Sequence, residues 1–314
     1  MILSVSRRTD VPAFYAQWFM NRIREGYVMV RNPMNYHQVS RVLLKPDVID
    51  CIVFWTKDPA PMVPYLDEIG ERYPFYIQYT LNAYDRSVEH RMPPLHGRLE
   101  TFRELSRRIG SERIIWRYDP VLLSDAIDIL WHAEQFQSIA ESLDGFTRTC
   151  VFSFIDLYDK IKNRIRPLGI RACSEDEMQK LAEVFAGIAA AHGMVLCTCA
   201  EKIDLSAYGI RHGACIDRQL IERLTGTPIS AGVDGNQREA CGCLESVDIG
   251  QYNTCGHGCG YCYANFNPAG IETKLRQHDP KSPFLVGSML PGDKVTERKM
   301  KSLKAGHTGQ MRMF

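Results

Sequence analysis

Six short apolar runs, each followed by a longer stretch, set the tightest limit on what this chain can fold into. The runs fall at 2–6, 51–55, 75–81, 113–117, 149–154 and 194–197, and helical patterns follow at 11–26, 61–72, 96–109, 126–143 and 174–192. Buried strands that alternate with amphipathic helices belong to right-handed βαβ units and a parallel sheet. Six such units within residues 1–200 predict an α/β fold, a complete or partial (β/α) TIM-like barrel rather than an open sheet. Asp10 reads as the N-cap of the first helix and Gly26 as its stop. Residues 27–31 and 38–44 flank Asn32-Pro33-Met34-Asn35-Tyr36 and predict an inserted hairpin.

Polar residues close every run. They are Ser6 to Asp10, Thr56-Lys57-Asp58, Thr80 to Asn82, Arg117-Tyr118-Asp119, Ser153 to Asp156, and Thr198 to Glu201. In a parallel barrel these ends share one rim, where active sites are built. Some of this polarity is what any strand needs on leaving the core and capping a helix. Arg7, Arg8 and Arg117 need another reason, because a cation gains nothing at a helix N-terminus. Arg7, Arg8, Lys57 and Arg117 are therefore candidate anchors for an anionic substrate, with Asp119 and Asp156 as polar anchors.

After Glu201 the rhythm breaks. One helix is expected at 217–225 and a short strand at 246–250; the rest of 201–290 is a cysteine-rich region completing the same domain. Residues 291–314 read as a basic, flexible tail. The chain holds 11 cysteines, eight of them between Cys197 and Cys262. With no apolar run long enough for a signal peptide or a membrane span, the chain is expected to be cytoplasmic, where crowded thiols bind metal rather than pair. The net charge of +1 makes no bulk case for nucleic acid or membrane, so such a partner would need a local patch.

Within this region Cys255-Gly256-His257-Gly258-Cys259-Gly260-Tyr261-Cys262 places three thiols on one glycine-rich loop. Glycine permits the close backbone approach that wrapping an inorganic centre requires. Three cysteines suit a [4Fe–4S] cube with one iron left open, although another iron–sulfur or zinc site would also use them. Cys199, Cys215, Cys241 and Cys243 form a further set of four, a candidate second [4Fe–4S] cluster or structural zinc. Cys51, Cys150, Cys173 and Cys197 read as core.

The Cys255–Cys262 stretch resembles the signature of the radical S-adenosylmethionine (SAM) superfamily, with Tyr261 matching the aromatic before the third cysteine. It is similar over about a dozen residues to spore photoproduct lyase and related proteins. The resemblance implies a [4Fe–4S] cluster, cleavage of SAM to a 5′-deoxyadenosyl radical, and a reductant such as flavodoxin or ferredoxin. Tyr261 would pack against adenine, and Tyr263 and Asp10 are further candidate cofactor contacts. In that superfamily the cluster loop follows the first barrel strand, whereas here it follows six units. A circularly permuted radical-SAM barrel resolves this: residues 247–249 would be the first strand in space, and Arg7 and its neighbours would face the loop.

Ser4-Val5-Ser6-Arg7-Arg8-Thr9-Asp10, Phe54-Trp55-Thr56-Lys57, Trp116 to Pro120, Cys215-Ile216-Asp217 and the closing cysteine motif together resemble a bacterial family catalogued as domain of unknown function 1848, over essentially the whole chain. The last residues, Gln310-Met311-Arg312-Met313-Phe314, resemble the peptide by which bacterial polymerases and repair proteins dock on the sliding clamp. That would move the substrate towards DNA and a repair-like role, with the basic residues 294–304 contacting phosphate. A different class also fits the cysteines: a non-catalytic zinc or iron–sulfur module associated with DNA.

Overall fold

The computed structural model describes residues 1–305, so the clamp-like peptide lies outside the described residues. The chain runs β1 (Ile2–Val5), α1 (Val11–Phe14), α2 (Ala16–Glu25), β2 (Tyr27–Arg31), β3 (Gln38–Leu43), β4 (Cys51–Thr56), α3 (Leu66–Gly70) and β5 (Phe75–Thr80). It continues with α4 (Leu95–Ile109), β6 (Ile114–Val121), α5 (Ile129–Ser142), β7 (Thr149–Phe154), α6 (Lys162–Ile165), α7 (Glu175–Ala191) and β8 (Val195–Cys199). Last come β9 (Arg211–Gly213), α8 (Arg218–Thr225), β10 (Val247–Asp248), α9 (Ile271–Arg276) and β11 (Lys294–Glu297).

Eight strands form one parallel sheet in the order β10-β1-β4-β5-β6-β7-β8-β9. The six predicted strands stand in it side by side, in sequence order. Alternate side chains define its two faces. Leu3, Phe54, Ile77, Trp116 and Phe152 pack with α2, α4, α5 and α7 in the main core. Ile2, Val53, Tyr76, Ile115 and Val151 face the other way, onto Ile216, Leu220 and Ile221 at the start of α8. The crossover helices thus share one face, and the cysteine-rich segment covers the other.

Local chemistry explains where the elements depart from the predicted bounds. The first helix breaks at Tyr15, whose φ of −135° is not helical and whose hydroxyl donates to Thr254 O at 2.6 Å. Gly26 ends α2 in the left-handed conformation, as a C-cap glycine does. Pro61 and Pro64 lack the N–H that a regular helix needs, so the third helix opens as a 3₁₀ turn over Ala60–Tyr65. The hairpin forms as β2 and β3, but β11 adds to it in parallel with β3. The basic stretch expected to be a loose tail is therefore ordered through residue 305. Lys301 O accepts from the Met1 amine at 2.8 Å, and Leu303 packs on the second core. β9 was not foreseen, because three residues carry too little pattern.

His132 on α5 is fully buried among these helices. Its Nε2 donates to Leu122 O and its Nδ1 accepts from Tyr118 Oη, both at 2.8 Å, which fixes a neutral ring. Burial pushes its pKa down from 6.5 to about 4. Between those values the unfolded chain takes up a proton that the fold refuses. Stability is therefore whole above the ordinary histidine range and falls as pH drops through it, by up to about 3 kcal/mol near pH 4. Urea unfolding at pH 7 and pH 5 is expected to show a shallower pH slope in His132→Gln than in the parent. Equal slopes would remove His132 as the cause.

Candidate active site and its cysteine centres

The ladder between β1 and β10 brings the two ends of the sequence together, pairing Leu3 with Val247 and Ser4 with Asp248. Asp248 is its polar hub. It accepts from Ser4 Oγ (2.7 Å), Ser6 Oγ (2.7 Å) and the Arg7 and Gly250 amides (both 2.9 Å). Gly250 has no room for more: a Cβ there would lie 2.6 Å from Ser6 Cβ. Leaving β10, the cysteine loop therefore lies against the C-terminal end of β1.

Three contacts hold it there. His257 Nε2 meets Asp10 Oδ2 at 2.8 Å, and Asp10 still caps α1 by accepting from Ala13 N at 3.0 Å. Tyr263 Oη donates to Arg7 O at 3.2 Å. Gly256 sits so close to Phe14 that a Cβ would come within 2.6 Å of the ring. The expected proximity of residues 6–10 to the loop is thus realised through Asp10, Arg7 and Ser6.

Beneath the loop lies a buried charged network. Lys57 Nζ donates to Glu89 Oε1 at 2.8 Å, Tyr261 Oη donates to the same oxygen, and Arg98 approaches Oε2 at 3.9 Å. Burial opposes the Glu89 charge, yet Lys57 and Arg98 hold its carboxyl below the usual range. Burial likewise opposes the Lys57 charge, but Glu89 and the Cys259 thiol outweigh it and raise its pKa. Lys57 Nζ also lies 5.5 Å from the Tyr261 ring centroid. Asn82 joins this network to β6: its Nδ2 donates to Asp119 O at 2.9 Å, and Asp119 N donates to its Oδ1 at 3.0 Å.

Asp119 pairs with Arg117 and accepts from Ser153 Oγ. Arg117 Nη1 in turn donates to Cys215 Sγ at 2.8 Å. Cys215 lies 3.2 Å from Cys199, and Cys243 and Cys241 pack in the same cluster. The predicted set of four is thus brought together in space. Arg7 is the second cation near this group: it donates to Ser246 Oγ at 3.1 Å and lies 3.8 Å from Asp234. Arg8 packs over Tyr252 and stands 4.0 Å from Asp248. Asp156 pairs with Arg238.

Lys57 and Arg117, expected as anion anchors, are thus neutralised by Glu89 and Asp119. Asp248, Glu89 and His257 are parts of the site to which the sequence reading gave no role, and Asn82, read only as a polar strand end, links them to β6. Glu89 lies in a loop with no periodic pattern. Asp248 and His257 were legible only as polar residues beside the cysteine motif.

All 11 cysteines are free. Cys51, Cys150, Cys173 and Cys197 are buried in the core, as expected. Among the described residues no three His, Cys, Asp or Glu side chains form a ready shell for a single metal ion. Burial pushes the Cys255 and Cys259 thiols well up. Cys262 N donates to Cys259 O at 3.2 Å, but among the described residues no hydrogen bond joins two of the loop thiols. A cube spreads its protein sulfurs over separate irons, and three thiols on one loop are a donor set it could use. Buried polar atoms without partners lie on or beside the loop, at His257 Nδ1, Asn265 Oδ1 and Thr9 Oγ1. Such atoms are what a bound polar group would satisfy.

Fold and site together define an α/β protein whose parallel sheet carries a cysteine loop at its strand ends and a second cysteine group on the face away from the crossover helices. The family model described as domain of unknown function (DUF1848) matches residues 2–264, and the chain belongs to that family. No curated protein and no solved structure gives a significant match. No described helix is long and apolar enough to cross a membrane.

Proposed function

We propose that this chain is a radical SAM enzyme built on a partial, circularly permuted (β/α) barrel. The ladder between β10 and β1 is the observation that carries this reading. A barrel that starts in space at β10 and continues through β1, β4, β5, β6, β7 and β8 has its cysteine loop directly after the first strand. That is the place the radical-SAM resemblance implies.

Cys255, Cys259 and Cys262 would hold a [4Fe–4S] cluster. When bound, that group supplies the electron that cleaves the SAM sulfonium. The chain's own residues orient and enclose. Asp10 fixes His257, Asp248 fixes the loop's entry, and the Lys57–Glu89–Tyr261 network keeps buried charge matched under the loop. Adenine contact would use the part of the Tyr261 ring that Lys57 and Tyr84 leave uncovered. Arg7 and Arg8 are the remaining rim cations for an anionic substrate, and a nucleotide or DNA phosphate is the chemistry they favour. A one-electron donor of the flavodoxin or ferredoxin type would be needed. Docking of residues 310–314 on a sliding clamp would deliver the protein to DNA.

Anaerobic reconstitution with iron and sulfide is expected to load about four irons and as much acid-labile sulfide on the loop. The reduced protein should then form 5′-deoxyadenosine from SAM. A chain that takes up no iron on this loop and leaves SAM intact would instead favour the non-catalytic, DNA-associated module.

A further inference from the structure

We propose that Cys199, Cys215, Cys241 and Cys243 are the ligands of a second metal centre, a thiolate site for one zinc ion. This goes beyond the radical-SAM reading and stands whether or not the loop binds a cluster.

The backbone gathers these four residues from three separate segments. Cys199 ends β8 and pairs with Gly213 of β9, which puts Cys215 just beyond the register. Gly213 makes that approach feasible, since a Cβ would lie 2.9 Å from Cys197 Cβ. Cys215 is pinned by its carbonyl, which accepts from Tyr76 Oη at 2.7 Å and Gln78 Nε2 at 3.0 Å. The Cys241-Gly242-Cys243 knuckle is laid on the same segment: Leu244 N donates to Ile216 O at 3.2 Å, and Asp234 N donates to Cys243 O at 2.9 Å. None of these bonds is needed by the strands of the main sheet for their own pairing.

Sulfur spacing selects the metal. Zinc–sulfur bonds of about 2.3 Å set tetrahedral sulfurs roughly 3.8 Å apart. The 3.2 Å between Cys199 and Cys215 lies nearer that value than the wider spacing of a cube, and Cys243 and Cys241 pack in the same cluster. An iron–sulfur cube would need the sulfurs further apart. As they stand the four form a string rather than a shell, which is why no three already enclose an ion. The ends of the string, Cys199 and Cys241, are its two half-buried members, so they have room to turn inward and close it.

Charge points the same way. Four thiolates on a divalent ion leave a net charge of about −2. Arg117, which bridges Asp119 and Cys215, reaches the Cys215 sulfur at 2.8 Å and offsets part of that charge. A buried guanidinium gains little from a neutral thiol and much from a metal-bound thiolate. The site would tie the covering segment to the face of the sheet away from the crossover helices.

The test uses the full chain. Zinc is measured by elemental analysis, together with acid-labile sulfide and the count of free thiols. About one zinc per chain is expected, retained when Cys255, Cys259 and Cys262 are all changed to Ser and lost in Cys215→Ser/Cys243→Ser. Arg117→Met should weaken zinc retention against a chelator about 10–100-fold, the usual effect of losing a residue that orients metal ligands. Cobalt exchanged into the otherwise unaltered chain should give tetrahedral, thiolate-rich absorption, so the proposal does not hang on a Cys variant that fails to fold. A Cys199–Cys215 disulfide, a metal-free chain with no cobalt spectrum, or acid-labile sulfide that persists in the loop triple variant would each overturn it. Loss of the loop's iron alone would strike the radical-SAM reading and leave this one intact.

Discussion

Cys259→Ala is expected to reduce 5′-deoxyadenosine formation to background and to strip most of the reconstituted iron. Cys259 is the buried middle member of the loop, close enough to Lys57 and Glu89 for each to act on its charge. Without it only two half-buried thiols, Cys255 and Cys262, face the centre, and a cube that needs three protein corners is lost. Folding should hardly change, since trimming a buried thiol to a methyl costs on the order of 1 kcal/mol. Cys150→Ala, in the opposite core, is the matched control and should keep both iron and turnover. A Cys259→Ala protein that still cleaves SAM would refute the function proposed above.

Glu89→Ala should have the largest effect on stability, about 3–5 kcal/mol, the usual result of breaking a buried ion pair from one side. Glu89 is 0% exposed, and its loss leaves Lys57 uncompensated, Arg98 without a nearby carboxylate and the Tyr261 hydroxyl without its acceptor. Glu89→Gln should cost less, because the acceptor oxygen survives. Adding Lys57→Met to Glu89→Gln should restore part of the loss, since it removes one of the two cations left uncompensated while Arg98 still lacks its carboxylate. The parent chain feels the same loss only in acid. The Glu89 carboxyl is held below its ordinary value, so its contribution is whole above the glutamate range and disappears as pH falls through the lowered value. Urea unfolding of the three variants measures all of this. A Glu89→Ala cost under about 1 kcal/mol would mean that solvent reaches the network and screens it.

Much of the fold was legible because periodicity is local. The six main strands, the hairpin and the long helices each carry their own pattern. β7 was predicted to the residue, and α7 was predicted from 174, where Ser174 with Glu177 opens it with a capping box. The neighbour relation between β10 and β1 followed from a different kind of reasoning, the place of the cysteine loop relative to a resembled order. What stayed hidden were contacts set by tertiary position alone. Glu89 looks like any loop carboxylate until Lys57, Arg98 and Tyr261 arrive from three other segments. Arg117 looks like a rim cation until Asp119, two residues on in the same strand, claims it.

The pairing of Leu3 with Val247 also sets a timetable. Asp10 and His257 stand 247 residues apart in the chain, and Thr254 must be present before Tyr15 can anchor its segment. Synthesis runs from the N-terminus at roughly 5–20 residues per second. The sheet from β1 to β8 can therefore assemble for about 3–11 seconds before the cysteine loop exists. Closing so long a loop is entropically slow but adds little cost per extra residue. The sulfur ligands thus reach a scaffold that is already built, and any inorganic centre on that loop must be loaded late, onto a nearly finished fold.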